Sequence, residues 1–154
     1  MNEKQTKTLL YIGGALVAYK VLQPLLRGLG ILETEPIKPL TPADNEVIKK
    51  AGGTSLLTAQ EAKSIADGQL AALDGWGTDE TALFSPLMAL TGPDLAQVFV
   101  RFGAKWYDKY FGTSSWAWVP GAQQLNLFGW YSQELSGRDL QRMKSIWQKS
   151  KLKF

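Results

Sequence analysis

The sequence predicts an all-α protein built from an N-terminal transmembrane-type helix, a Pro-rich spacer and a helical bundle. Three observations favour this class. Residues 8–26 form an apolar run interrupted by a single lysine, prolines recur every third residue from position 36 to 42, and from residue 58 apolar side chains recur at helical spacing. The corresponding boundaries are 1–32 for the membrane-anchor helix, 33–57 for the spacer and 58–154 for the bundle.

The composition limits the chemistry available to the chain. It has 154 residues, of which 45% are hydrophobic and 20% charged, so one domain with a substantial core can form beside an attachment segment. It has no histidine and no cysteine, which usually supply a neutral-pH base, a thiolate nucleophile or a zinc ligand. We therefore expect no enzyme. The alternative left open is a carboxylate-dependent polysaccharide hydrolase that uses Asp79, Glu80 and Glu134.

The apolar run at 8–26 is nearly the length that spans a bilayer, about 20 residues. Lys20 is the obstacle, because a lysine near the bilayer centre costs about 2.5–3.5 kcal/mol, whereas each leucine, isoleucine or valine returns about 0.3–0.6 kcal/mol. Its side chain can reach the interface if the span shifts toward the N-terminus, and Gly13, Gly14 and Ala18 offer a small-residue surface to partner helices. The alternatives are a cleaved signal peptide, for which no clear Ala-x-Ala site is present, a core helix, or a helix buried in an assembly.

The segment 33–57 is predicted to be a spacer. Pro36, Pro39 and Pro42 favour extended and fairly stiff backbone, and a Gly-Gly pair follows them. Such a segment would hold the domain at a distance from its anchor.

Five helices are predicted after the spacer. Thr58 and Glu61 form a capping box for the first, Thr78 is expected to cap the second, and a Gly-Pro pair opens the third. Ser136 and Asp139 resemble a second capping box before the last helix. No strand pattern is found. The expected core positions are Ala62, Ile65, Ala66, Leu70, Leu73, Leu83, Phe84, Leu87, Leu90, Leu95, Val98, Phe99, Phe102, Leu125, Phe128, Tyr131, Leu135, Leu140, Met143 and Trp147.

The last segment of the chain is basic. From position 138 onward, the sequence contains one acidic residue, Asp139, and six basic residues. The cations either line a solvated helix face near its C-terminus or contact anionic lipid headgroups, which is worth about 1 kcal/mol per basic residue. Nucleic acid is not expected, because the net charge is only +3. The cations are Arg138, Arg142, Lys144, Lys149, Lys151 and Lys153.

Three pieces of the sequence, in order, resemble a single annexin repeat. They are GWGTDE at 75–80, YFG at 110–112 and ELSG at 134–137. The resemblance covers about residues 58–152, and it implies a five-helix annexin-like bundle.

The resemblance also implies a calcium site. In annexins a Gly-x-Gly loop offers backbone carbonyls to calcium, and a distant carboxylate completes a site that bridges to phospholipid. The implied ligands are the carbonyls of Leu73, Gly75 and Gly77 and the carboxylate of Glu134, with Trp76 at the loop tip toward lipid. The alternative is a tight interhelical turn whose amides donate to Glu134.

Aromatic residues cluster between positions 106 and 118, and most of them are expected in the core. Trp116 and Trp118 lie in a segment bounded by glycine, serine and proline, where exposed aromatics would mark a protein or membrane contact. Together with Trp76 and Lys20, they are the predicted membrane-contact residues.

These observations predict a membrane-anchored structural or tethering protein that presents its helical domain to a protein partner. By analogy, a minor structural protein of a membrane-containing virus or phage is expected, single-pass in the virion membrane and in contact with a capsid or another assembly. The alternative is calcium-dependent phospholipid binding or membrane bridging. No cofactor other than calcium is expected.

Overall fold

Helices account for most of the residues that the computed structural model describes, namely 37–74, 79–108 and 121–154. This confirms the prediction of a mainly helical protein. All of these residues belong to one compact unit, 37–154. The helices are α1 (Pro42–Lys50), α2 (Ala59–Leu73), α3 (Glu80–Met88), α4 (Gly92–Phe102), α5 (Leu127–Glu134) and α6 (Gly137–Trp147), and a 3-10 turn, Gln148–Ser150, follows α6.

A small antiparallel sheet interrupts the helices between α4 and α5. Its strands are β1 (Lys105–Tyr107) and β2 (Gln123–Leu125), paired so that Lys105 lies opposite Leu125. The prediction that the chain has no strand is wrong here, because strands of three residues are too short to show a two-residue alternation. Leu125 was expected on a helical stripe, but α5 begins only at Leu127.

Helix α1 lies inside the predicted spacer. Thr41 caps it, Pro42 occupies its first turn and Asp44 closes a capping box. The extended backbone predicted from the prolines differs from the structure here, because a proline in the first turn lacks only an N–H that has no helical partner. Ile48 is buried in a small cluster with Ala51 and Ala96, so α1 packs against α4.

In the part of the chain that the structure describes, no helix has the length and apolarity needed to cross a membrane. The predicted anchor, 1–32, lies outside these residues.

The helix starts of α2 and α3 follow local side-chain chemistry. The predicted capping box of α2 is confirmed: the Thr58 amide donates to Glu61 Oε2 at 2.8 Å, and the Glu61 amide donates to Thr58 Oγ1 at 3.2 Å. Helix α3 is capped one residue later than predicted, because Asp79 Oδ1 accepts the Ala82 amide at 3.0 Å. Thr78 lies outside the described residues.

The start of α6 differs from its prediction. Ser136 occupies the N-cap position, but its side chain makes no capping hydrogen bond. Gly137 adopts a φ of +51°, and the Asp139 amide donates to the backbone carbonyl of Ser136 instead of its hydroxyl. The predicted second capping box is therefore wrong.

The core combines aliphatic side chains, many of them from α2 and α3, with a group of aromatic side chains that come mostly from α4, α5 and α6. Trp147 is fully buried and meets the Phe128 ring edge-to-face with centroids 4.9 Å apart, while Phe128 stacks on Phe154 at 4.6 Å. Such pairs add about 0.5–1.5 kcal/mol to the burial itself. Most predicted core positions are buried. Those that are only partly buried are Ile65, Leu70, Leu90, Phe99, Leu125 and Leu140.

Three backbone segments meet at Gly92, the first residue of α4. A Cβ at this position would lie 2.7 Å from the carbonyl oxygen of Ala51 and closer still to that of Lys149. Only a residue without a side chain allows this approach. We call this meeting point of Ala51, Gly92 and Lys149 the Gly92 junction.

Candidate functional site

Two of the predicted calcium ligands lie in the described part of the chain, each at the end of a helix. Leu73 is the last residue of α2, and its side chain is buried in the core. Glu134 is the last residue of α5 and is half-buried. Gly75, Gly77 and Trp76 lie outside the described residues, so the predicted ligand set is seen only at these two positions.

A buried polar contact joins the helices that carry Leu73 and Glu134. The hydroxyl of Tyr131 on α5 donates to Gln69 Oε1 on α2 at 2.7 Å, and Gln69 Nε2 donates to the Leu83 carbonyl at 3.0 Å. Burial raises the pKa of Tyr131 well above its usual value, so the hydroxyl stays a donor. The contact lies one turn before each of the two helix ends and fixes α2 against α5.

The carboxylate of Glu134 has a partner that the sequence did not suggest. Burial raises the pKa of Tyr107, and a hydrogen bond to Glu134 raises it further, to about 12. The Tyr107 hydroxyl on β1 therefore remains protonated and can donate to Glu134. Because 27 residues separate the two in sequence, no local pattern could indicate the pair. The predicted alternative, a bond from the interhelical loop amides to Glu134, concerns residues outside the described ranges.

The carboxylates considered for hydrolysis occupy helix starts and ends. Asp79 caps α3, Glu80 is exposed in its first turn, and Glu134 lies beside Tyr107. Across residues 37–74, 79–108 and 121–154, no group of three or more acidic side chains is arranged to hold a metal ion.

The basic C-terminal segment is partly fixed by contacts with the domain. The Arg142 guanidinium lies 4.3 Å from the centroid of the Phe84 ring, and Lys144 Nζ lies 5.5 Å from that of Phe154. Lys149 Nζ donates to the Met88 carbonyl at 3.0 Å. These contacts fix the charged ends of the three side chains against the domain, although each residue remains exposed overall.

The predicted membrane-contact residues Lys20, Trp76, Trp116 and Trp118 lie outside the described residues. Of the aromatic cluster, Tyr107 is buried and meets the Trp130 ring edge-to-face with centroids 4.9 Å apart.

The resemblance to an annexin repeat stays a prediction from the sequence. Comparison of the chain with protein-family models, with curated proteins and with solved structures finds no match.

Proposed function

We propose that the chain is a non-enzymatic, membrane-anchored structural or tethering protein that presents its helical domain to a protein partner. One observation carries the proposal: the sequence places an apolar run, 8–26, ahead of a compact helical unit that begins at residue 37. The most specific form is a minor structural protein of a membrane-containing virus or phage, with a capsid protein as its partner. In that form the protein would purify within a larger symmetric assembly.

The way the chain enters the domain supports a tethering role. A tether transmits force only if the folded unit holds the incoming chain. Arg101 on α4 donates a hydrogen bond to the Lys38 carbonyl, and Leu40 packs against the small cluster that contains Ile48. The incoming chain is therefore bound to the domain already at Lys38 and Leu40.

The proposal predicts that membrane retention depends on the centre of the apolar run. The full chain should float with membranes on a density gradient after alkaline carbonate treatment. The double variant Leu16→Arg, Val17→Arg should lose most of this retention, because each arginine in the hydrocarbon region carries a large insertion cost. Quantitative immunoblotting of the gradient fractions measures the loss.

The matched control places the same two arginines on an exposed surface. Gln60 and Ser64 are exposed on α2, and the variant Gln60→Arg, Ser64→Arg should float like the unmodified chain. A full chain that stays in the soluble fractions, or an apolar-run variant that floats unchanged, would remove the membrane anchor.

Calcium-dependent phospholipid binding or membrane bridging is the second candidate function. The observation that favours it is that Leu73 and Glu134 end two helices joined by the bond between Gln69 and Tyr131. Calorimetric titration of the full chain with calcium should then show binding that Glu134→Gln abolishes. Glu46→Gln, an exposed carboxylate on α1, is the control. A titration without binding heat, or binding that survives Glu134→Gln, would exclude this site.

A further inference from the structure

Two large apolar side chains are exposed in the described part of the chain, and both come from segments held at the Gly92 junction. Leu56 is 85% exposed and Met88 is 55% exposed. The Leu56 amide donates to Asp94 Oδ1 of α4 at 2.7 Å. The Met88 carbonyl accepts a hydrogen bond from Lys149 Nζ, and the Lys149 carbonyl lies against Gly92. Both side chains are therefore presented from backbone that is fixed to the domain.

The same end of the domain is basic. Lys49 and Lys50 close α1 directly before Ala51, and Lys149 and Lys151 lie at the end of the chain's last turn. All four lysines are exposed. Lys149 donates to the Met88 carbonyl, which is a neutral acceptor, so this hydrogen bond does not neutralise the positive charge of the lysine.

The acidic groups of this region do not balance the four lysines. Asp94 is 4% exposed, and its carboxylate accepts hydrogen bonds from Ser55, Leu56 and Thr91. Glu46 is exposed one turn before Lys50 on α1. Among the described residues of this end, four exposed lysines therefore lie near two carboxylates, the buried Asp94 and the exposed Glu46, which leaves an excess of positive charge.

We infer that this end of the domain binds the surface of an anionic phospholipid bilayer without calcium. The junction surface consists of Lys49, Lys50, Leu56, Met88, Lys149 and Lys151. The lysines complement lipid phosphate and serine headgroups, and the two apolar side chains enter the headgroup boundary, as in proteins that lie on a membrane. Binding requires neither the apolar run at 8–26 nor the predicted calcium ligands, so the inference is independent of the proposed function.

The composition of the junction surface favours lipid over other partners. The centres of protein interfaces are depleted in lysine and rich in apolar area, whereas this surface has four exposed lysines and only two exposed large apolar side chains. Nucleic-acid sites usually contain arginine in a dense basic stripe and aromatic side chains for stacking. The junction surface has neither arginine nor an aromatic residue.

Site-specific labelling tests the inference, since the native chain has no cysteine. An environment-sensitive dye is attached to Leu56→Cys or Met88→Cys in the full chain. Vesicles of phosphatidylcholine alone or with 30% phosphatidylserine are then added in the presence of EDTA. We expect a blue shift in emission at both positions with the anionic vesicles only. The same dye at Ala71→Cys, an exposed position about 18 Å along α2 from its start, should not respond.

A charge variant tests the lysines without disturbing the backbone. Lys50→Gln with Lys151→Asn removes two charges, and asparagine tolerates the left-handed conformation of residue 151. Because each basic residue strengthens binding to an anionic surface about fivefold, the lipid concentration at half-maximal shift should rise about 30-fold. The charge-matched control, Lys105→Gln with Arg138→Gln, should leave it nearly unchanged.

Flotation with neutral vesicles, measured in parallel, separates this inference from the proposed anchor. A chain that floats while both dyes stay unshifted overturns the inference and leaves the anchor in place. A dye shift without flotation on neutral vesicles supports the inference and counts against the anchor. A shift that needs calcium, an equal shift with neutral vesicles, or a shift produced by polyglutamate or an oligonucleotide instead of vesicles also overturns it.

Discussion

Replacing Gly92 with alanine is expected to lower the free energy of unfolding of the domain by about 3 kcal/mol or more. The new methyl group would lie 2.7 Å from the Ala51 carbonyl oxygen and closer still to that of Lys149. Both obstacles are backbone atoms, so neither can rotate away as a flexible side chain would. The clash can be relieved only by moving α4 relative to α1 and the C-terminal turn. Urea denaturation of the full chain, followed by circular dichroism at 222 nm, measures the change.

Gly68 provides the matched control for Gly92→Ala. It lies within α2, is exposed, and a Cβ there would meet no atom within 4 Å. Gly68→Ala should therefore stabilise the domain by about 0.5–1 kcal/mol, because alanine loses less backbone entropy in a helix. Loss of less than about 1 kcal/mol in Gly92→Ala would show that the three segments do not meet as closely as described.

The Asp94→Ala variant is expected to lower the free energy of unfolding by about 2–4 kcal/mol. Asp94 closes the capping box of α4 through the amide and hydroxyl of Thr91. It also accepts the Ser55 hydroxyl and the Leu56 amide, both at 2.7 Å, and so ties the preceding loop to α4. Alanine would leave these donors partly buried without a partner, which costs more than the loss of a solvent-exposed cap.

Asp44 gives the control for this prediction, because it closes the same kind of box with Thr41 at the start of α1. Those hydrogen bonds are solvent-exposed, and the structure records no tertiary hydrogen bond from Asp44 among the described residues. Asp44→Ala should therefore cost about 0.5–1 kcal/mol. Equal losses in the two variants would mean that the Ser55 and Leu56 bonds add nothing to the cap.

Asp94 also predicts how stability depends on pH. Burial alone raises the pKa of this carboxyl. The hydrogen bonds from Thr91, Ser55 and Leu56 have the larger opposite effect and lower the pKa from 3.8 to about 2. Because the folded-state pKa is depressed, the stabilisation is complete above about pH 4 and is lost as the pH falls toward 2. With allowance for solvent screening, the loss is about 1–2 kcal/mol. The difference in unfolding free energy between the native chain and Asp94→Asn should shrink over this window. A constant difference would contradict the assignment.

The capping residues show which contacts the sequence could predict and which it could not. A capping box joins residues three positions apart, so the Thr58 and Glu61 pair was visible in the sequence and is confirmed. The tertiary role of Asp94 was not visible, because Ser55 and Leu56 lie 39 and 38 residues away. Gly92 was identified only as a helix start, since the carbonyls that require glycine come from distant segments.

The candidate sites divide in the same way. The sequence indicated Glu134 through a resemblance, but it could not indicate Tyr107, whose pairing depends on how β1 packs beside the end of α5. It showed a basic last segment, but not that Lys149 reaches Met88 across 61 residues. Prolines near position 42 favoured an extended spacer, whereas burial of Ile48 against α4 stabilises a helix.

The small cluster around Ile48, Ala51 and Ala96 brings together the two ends of the described domain, because Leu40 and Leu152 both pack against it. The chain therefore enters and leaves the domain side by side. Because Leu152 and Phe154 also pack against the main core, tension applied between residue 40 and residue 154 would act on the small cluster and on the aromatic core together. The domain is therefore expected to unfold under force in one step, because α1 cannot be pulled away through the last residues without also displacing Phe154 from Phe128.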